Sequence, residues 1–224
     1  MKIGVLFAGD KELAPFLPMI NDIRETQKAM LTIYEGMVEG VEVATLFSGV
    51  CKVNAAVATQ ILVDCYGCEA VINAGTAGGM DERLELFDTV VSTEVAYHDV
   101  APGILTEFHP WLDSVYFKAD EKLLNLAKLV AGERTFFGRM VTGEQFIVDE
   151  KRPEINARFA PLSVDMETAA VAHTCHVNGI PFLAVRTLTD TAKHSGDAAF
   201  QENCAKASAI SADFVRRMLR AKQE

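Results

Sequence analysis

Three acidic residues in this chain follow apolar segments of strand length: Glu12 after 2–8, Glu167 after 161–165 and Asp190 at the end of 181–189. In open α/β sheets ligands collect outside the carboxyl ends of strands, so residues in those places are the first candidates for chemistry. Gly75-Thr76-Ala77-Gly78-Gly79 follows 70–74, and Gln145-Phe146 follows 136–143. Carboxyls, a glycine-rich turn that offers backbone N–H donors, and an aromatic ring would thus meet on one rim. Carboxyls arranged in this way can protonate a leaving group and activate a water molecule.

Each of these residues also has a reading without chemistry. Glu12 and Glu167 stand in the first turn of expected helices, where the dipole favours an acid. Asp165 is a candidate N-cap for the helix that carries Glu167. Arg186 lies four residues before Asp190 and so on the same face of a regular strand, where the two could form a simple ion pair. Asp190 is harder to dismiss, because an unpaired carboxylate at the end of an apolar strand is costly to bury.

Other chemistry has weaker support. The stretch from Asn73 to Gly79 is neither the dinucleotide fingerprint nor a P-loop. Of the histidines, only His98 ends a strand on the rim; His173 and His176 share a helix at i, i+3 and read as packing or solvent-facing. No accompanying acid or cysteine has zinc spacing, and no metal or organic cofactor is expected. Cys65 and Cys68 have C-x-x-C spacing but no second pair, and five scattered cysteines make no disulfide framework.

Strand-length apolar runs alternate with segments of helical period, which predicts an α/β fold: three layers, α/β/α, around a mixed, mostly parallel twisted sheet. Strands are expected over 2–8, 29–36, 41–48, 70–74, 89–98, 136–143, 161–165 and 181–189. The pair 29–36 and 41–48 reads as antiparallel, with Glu39-Gly40 as its turn. Helices are expected over 10–20, interrupted at Pro15 and Pro18, and over 52–66, 120–130, 166–178 and 200–219. In 52–66 the residues Val53, Val57 and Ile61 form the apolar stripe. The stretch 100–111 reads as a loop, and 145–160 as a loop with a short helix.

With half of its residues apolar, a chain of 224 can bury a substantial core, and we read 1–224 as a single domain. A net charge of −10 without a basic stripe argues against a nucleic-acid partner. The opening apolar run is too short for a signal or membrane span, and no later run reaches that length. The expectation is a cytoplasmic protein with no membrane partner.

Taken together, several segments resemble the nucleoside phosphorylase/hydrolase superfamily, and within it the 5′-methylthioadenosine/S-adenosylhomocysteine nucleosidase branch. They are Asn73 to Gly79, Tyr97-His98-Asp99, Phe117 to Asp120, Gly143-Glu144-Gln145-Phe146-Ile147, Val164 to Ala170, and Val185 to Asp190, all in the family order. The resemblance implies cleavage of the N-ribosidic bond of 5′-methylthioadenosine, S-adenosylhomocysteine or 5′-deoxyadenosine, with a proton supplied to the departing purine and a poised water on the other face of the sugar. It implies Asp190 as the general acid at purine N7, and Glu12, helped by Thr76 and Arg186, as the group that orients or deprotonates water. Glu167 would accept from the ribose hydroxyls, Met166 would pack under the ribose, Phe146 would stack on the purine and the Ile147 backbone would read its edge. Gly78 would let the backbone approach, and Phe200 would wall an apolar pocket for the 5′ group.

The same resemblance implies a homodimer in which the 100–111 loop of one subunit lines the other's pocket. Phosphorylase relatives place an arginine just before the glycine-rich turn; here that position is Asn73, which favours water over phosphate as nucleophile. The chain departs from the branch at Gly9-Asp10-Lys11, where a methionine followed by acidic residues is usual. Three alternatives remain: an aminodeoxyfutalosine nucleosidase, a phosphate-dependent phosphorylase of the same fold, and a nucleoside-binding protein without turnover.

Overall fold

The computed structural model describes residues 1–101, 103–109, 112–147, 149–193 and 197–223. Pro102, Pro110 and Trp111 of the expected 100–111 loop lie outside the described residues. The strands are β1 (Ile3–Phe7), β2 (Asn21–Lys28), β3 (Leu31–Val38), β4 (Val41–Phe47), β5 (Ala70–Gly79), β6 (Thr89–Tyr97), β7 (Phe117–Lys118), β8 (Thr135–Thr142), β9 (Ser163–Asp165) and β10 (Phe182–Asp190). The helices are α1 (Asp10–Leu13), α2 (Lys52–Asp64), α3 (Ile104–Glu107), α4 (Glu121–Val130), α5 (Arg152–Phe159), α6 (Thr168–Asn178) and α7 (Asp197–Ala221). Short 3₁₀ turns occupy Leu17–Met19 and Asp149–Lys151.

The strands form one ten-stranded mixed sheet. β1 lies between β4 and β5, parallel to both, and β5 is parallel to β10. β10 turns antiparallel onto β6, β6 runs parallel to β8 and β8 to β9, and β9 comes back antiparallel onto β5. Strands 5, 10, 6, 8 and 9 therefore close a ring, and β1, β4, β3 and β2 extend from it. Closure satisfies backbone groups that an open edge would expose. It also brings the end of β9 onto the end of β5, through the pair Gly78 and Val164.

Two apolar layers flank the sheet, as the α/β/α reading expects. One packs Leu62 of α2 and Val171 of α6 against Val71 and Leu188; the other packs Phe214 and Met218 of α7 against Ile72 and Val185.

Several expectations change in detail. The 10–20 helix is one turn, α1, followed by the 3₁₀ turn, because Pro15 and Pro18 cannot donate to a continuing helix. β2 was not expected: every residue of it is exposed, so its sequence carries no apolar alternation. It is a charged edge strand, joined to β3 by Ala29 and Met30 with φ of 49° and 65°. The expected turn at Glu39-Gly40 has φ of 49° and 79°, the left-handed pair of a tight hairpin.

On α2 the expected stripe faces outward. Val53 and Val57 are exposed and Ile61 only half-buried, while Ala55, Ala58, Thr59 and Leu62 point inward. Small residues let α2 approach its neighbour α6 closely, and that face wins over the bulkier valines.

Candidate active site

The glycine-rich stretch is not a turn: β5 continues as strand through Gly79. Its glycines are needed because two carboxyls come down onto the strand. A Cβ on Gly75 would sit 2.7 Å from Glu12 Oε1, and one on Gly78 would sit 3.0 Å from Asp190 Oδ2. The floor of the site is thus a strand whose glycines, three positions apart, leave room for two acids from distant parts of the chain.

Glu12 is buried in α1 and receives four donors. Oε1 accepts from the backbone N–H and the hydroxyl of Thr76, both at 2.7 Å. Oε2 accepts from the N–H of Ala8 at 2.9 Å and of Gly9 at 3.1 Å. The helix-start role is real, since Glu12 reaches back to the N-cap nitrogen as in a capping box. The two Thr76 bonds go beyond capping and fix one oxygen over β5.

Asp190 is placed by an irregularity. In the pairing of β10 with β5, Leu188 faces Ala77 and Asp190 faces Gly78, so Thr189 is an extra residue. A bulge of this kind re-aims the following side chain. Without it Arg186, Leu188 and Asp190 would share a face; with it Asp190 turns to the other. Thr189 Oγ1 then donates to Asp190 Oδ1 at 3.1 Å, and Arg152 Nη2 stands 3.3 Å from Oδ2. The expected Arg186–Asp190 pair is therefore replaced by Arg152–Asp190.

Arg186 is fully buried and lies beneath the site. It donates to Asn73 Oδ1 at 2.7 Å, to Thr168 Oγ1 at 3.0 Å and to the Thr76 carbonyl at 3.1 Å. It also pairs with Asp165 at 3.2 Å and Glu167 at 3.3 Å. A buried cation held by two carboxylates and three further acceptors is a brace. Asp165 completes it, accepting from the backbone N–H of Glu167 and Thr168 and so capping α6 as expected.

Glu167 precedes α6 and is almost fully buried. Its Oε1 accepts from the Cys51 N–H at 2.9 Å and its Oε2 faces Arg186. Burial pushes its carboxyl up to about 7, against the opposing pull of Arg186. Cys51 donates from a backbone at φ 84° and ψ 162°, a conformation natural to glycine. Neither that donor nor Arg152 was expected, because a backbone N–H has no residue signature and Arg152 sits in a stretch without periodicity.

A cavity of about 340 Å³ opens above these groups, within the range of small-ligand sites. Glu12, Thr76, Gly78, Phe146, Ile147, Met166, Glu167, Asp190 and Phe200 all line it, and Arg186 does not. Phe146 and Phe200 meet edge to face along its lining, with ring centres 6.4 Å apart. Asp10 and Lys11, where the chain departs from the family pattern, also reach the cavity. The described histidines stand apart: none of His98, His109, His173 and His176 lines the cavity, and His173 stacks on Phe117 at 4.8 Å. Among the described residues, no cluster of His, Cys, Asp or Glu has the makings of a metal site.

Residues 2–220 match the family described as the phosphorylase superfamily. The chain belongs to that superfamily. A 5′-methylthioadenosine/S-adenosylhomocysteine nucleosidase of Actinobacillus succinogenes is 37% identical, with 98% of each chain covered. One of Bacillus velezensis is 36% identical, covering 98% of this chain and 99% of the relative. The solved nucleosidase of S. pneumoniae with a transition-state inhibitor superposes with a TM-score of 0.92 at 28% identity, covering 99% of this chain and 100% of the other. A futalosine hydrolase of Helicobacter pylori superposes at 0.90 with 27% identity and 97% of each chain. The similarity thus lies in the branch of the superfamily that the motifs pointed to, and the α/β fold is that of its solved members.

Proposed function

We propose that this protein hydrolyses the N-ribosidic bond of 5′-methylthioadenosine, S-adenosylhomocysteine or 5′-deoxyadenosine, and releases adenine. The observation that carries the proposal is the pair of buried carboxyls, Glu12 and Asp190, set over the glycines of β5 in one cavity that an aromatic ring helps to line. Breaking the bond develops positive charge on the sugar and negative charge on the purine. Asp190, protonated, gives its proton to N7, while Glu12 takes one from the attacking water; each transfer is worth roughly 10² to 10⁴ in rate. The Thr76 bonds keep Glu12 aimed, and Arg186 contributes from below by fixing Glu167 and the Thr76 carbonyl.

Glu167 accepts from the ribose hydroxyls, Met166 packs under the ribose and Phe146 stacks on the base. Gly78 leaves room at the purine edge, the Ile147 backbone reads that edge and Phe200 walls the 5′ end. Water is the nucleophile in this reading. Its support is Asn73, whose amide bonds Arg186 and the Leu6 carbonyl and leaves no cation facing the cavity from that position.

The test is adenine release from methylthioadenosine in phosphate-free buffer. Release that collapses by about 10² to 10⁴ in Asp190→Asn supports the reading. Release only with phosphate makes the protein a phosphorylase, and none from either thioadenosine leaves aminodeoxyfutalosine, a reading favoured by the likeness to the Helicobacter pylori hydrolase. Binding of the nucleoside without release would leave the non-catalytic alternative.

The same reading makes the chain one catalytic domain over 1–224 that works as a homodimer, with the 100–111 loop at the partner's pocket. Support for the dimer comes from the outward Val53 and Val57 of α2, and from Phe108, which is 71% exposed. A cytoplasmic location goes with it, supported by free thiols at all five cysteines; among the described residues no helix is long and apolar enough to cross a membrane.

A further inference from the structure

The general acid of the proposed reaction has a cation beside it. Arg152 opens α5 and is 5% exposed; its Nη2 stands 3.3 Å from Asp190 Oδ2. Its other terminal nitrogen donates to the Gly79 carbonyl and lies 3.6 Å from Met80 Sδ, so the guanidinium is clamped to the end of β5. Asn156, one turn further along α5, donates to the Met80 carbonyl at 3.1 Å and ties the helix to the same place. A guanidinium at this distance favours the carboxylate over the carboxylic acid. Donation to N7 needs the acid.

We infer that Arg152 is a positioning residue that holds Asp190 as a carboxylate in the resting pocket, so that Asp190 takes up its proton only as a purine is seated. This inference rests on the hydrolase reading. The proton comes from solvent, passes from Asp190 to N7 as the bond to the sugar breaks, and is matched by the one that Glu12 takes from water. Phe146 and Ile147, which line the cavity where the purine is proposed to sit, lie a few residues before Arg152.

Other described groups also stand around Asp190. Thr189 on its own strand is neutral and donates to Oδ1, and β5 offers only the backbone of Gly78 and Gly79. From α7, Cys204 lines the cavity; from α1, Asp10, Lys11 and Glu12 do so, as does Glu167 before α6. Lys11 and Asp10 are exposed, and Lys193, just past β10, pairs with Glu85 at 2.6 Å.

The experiment is the pH profile of kcat/KM for adenine release by the unmodified protein, Arg152→Gln and Arg152→Lys. Asp190 must be protonated, so activity falls as pH rises through its titration. Loss of the cation should move that alkaline limb up by about 1 to 3 pH units in Arg152→Gln. Arg152→Lys, which keeps the charge, should leave it near its original place. An unmoved limb in Arg152→Gln, or equal movement in both variants, overturns the inference. A merely structural role would lower the whole profile without displacing the limb.

Should Arg152→Gln not fold, the Asp190 carboxyl of the unmodified protein can be followed by ¹³C NMR, as the resonance lost in Asp190→Asn. An ionised carboxyl at pH 7 in the ligand-free protein is expected; a protonated one overturns the inference. This measurement needs no turnover. If the unmodified protein releases no adenine, the hydrolase reading fails, whereas a protonated resting Asp190 in a protein that does release adenine fails Arg152 alone.

Discussion

Gly75→Ala tests the placement of Glu12 without touching a carboxyl. Gly75 has φ of 139°, outside the range open to alanine, and its new Cβ would lie 2.7 to 2.9 Å from all three atoms of the Glu12 carboxyl group. Backbone strain of this kind costs about 1 to 3 kcal/mol. Displacing Glu12 also weakens the two 2.7 Å bonds from Thr76, each worth about 1.5 to 3 kcal/mol where a charged group accepts. A total near 3 kcal/mol or more corresponds to a fall in Tm of about 6 to 12 °C for a chain of this size. In the proposed reaction Glu12 is the general base, and moving it by about 1 Å should cost roughly 10² in kcat.

The control is Gly9→Ala, where a Cβ meets nothing within 4 Å and the N–H to Glu12 is kept. It should change stability by about 0.5 kcal/mol or less. Thermal melts and adenine release at saturating substrate check both variants. A Gly75→Ala protein with unchanged kcat and Tm would show that Glu12 is not held over β5 as described.

Glu167 binds its proton more tightly in the folded protein than in the unfolded chain, whose glutamates titrate near 4.3. Its contribution to stability is therefore fully present below about pH 4.3 and lost as pH rises through about 7. Glu167→Gln, a permanent mimic of the protonated form, should flatten that decline in denaturant titrations while lowering kcat/KM by roughly tenfold or more through loss of a charged acceptor. A variant whose stability falls with pH as steeply as the parent's would refute the assignment. Val53→Lys combined with Val57→Lys, on the exposed face of α2, should leave the fold intact and produce a monomer in sedimentation. A dimer of unchanged stability would place the interface elsewhere.

Much of the site was legible because its residues stand where strands end, and strand ends follow from local apolar runs. Glu12, Glu167, Asp190, Phe146 and Ile147 needed no long-range knowledge to be placed on a rim. The hairpin turn at Glu39-Gly40 and the cap supplied by Asp165 were legible for the same reason, since both are settled by a few adjacent residues.

What only the tertiary structure decided depends on partners distant in sequence. Alternation along 182–190 pairs Arg186 with Asp190, yet a bulge set by the pairing of β10 with β5 turns Asp190 away. Arg186 is left to brace Asp165 and Glu167, and Arg152 takes its place beside the acid. The outward stripe on α2 and the exposed edge strand β2 have a related cause: which face a helix buries, and whether a polar segment pairs as a strand, depend on the neighbour it meets. Local sequence states which residues can do chemistry, and the register and closure of the sheet determine which of them face one another.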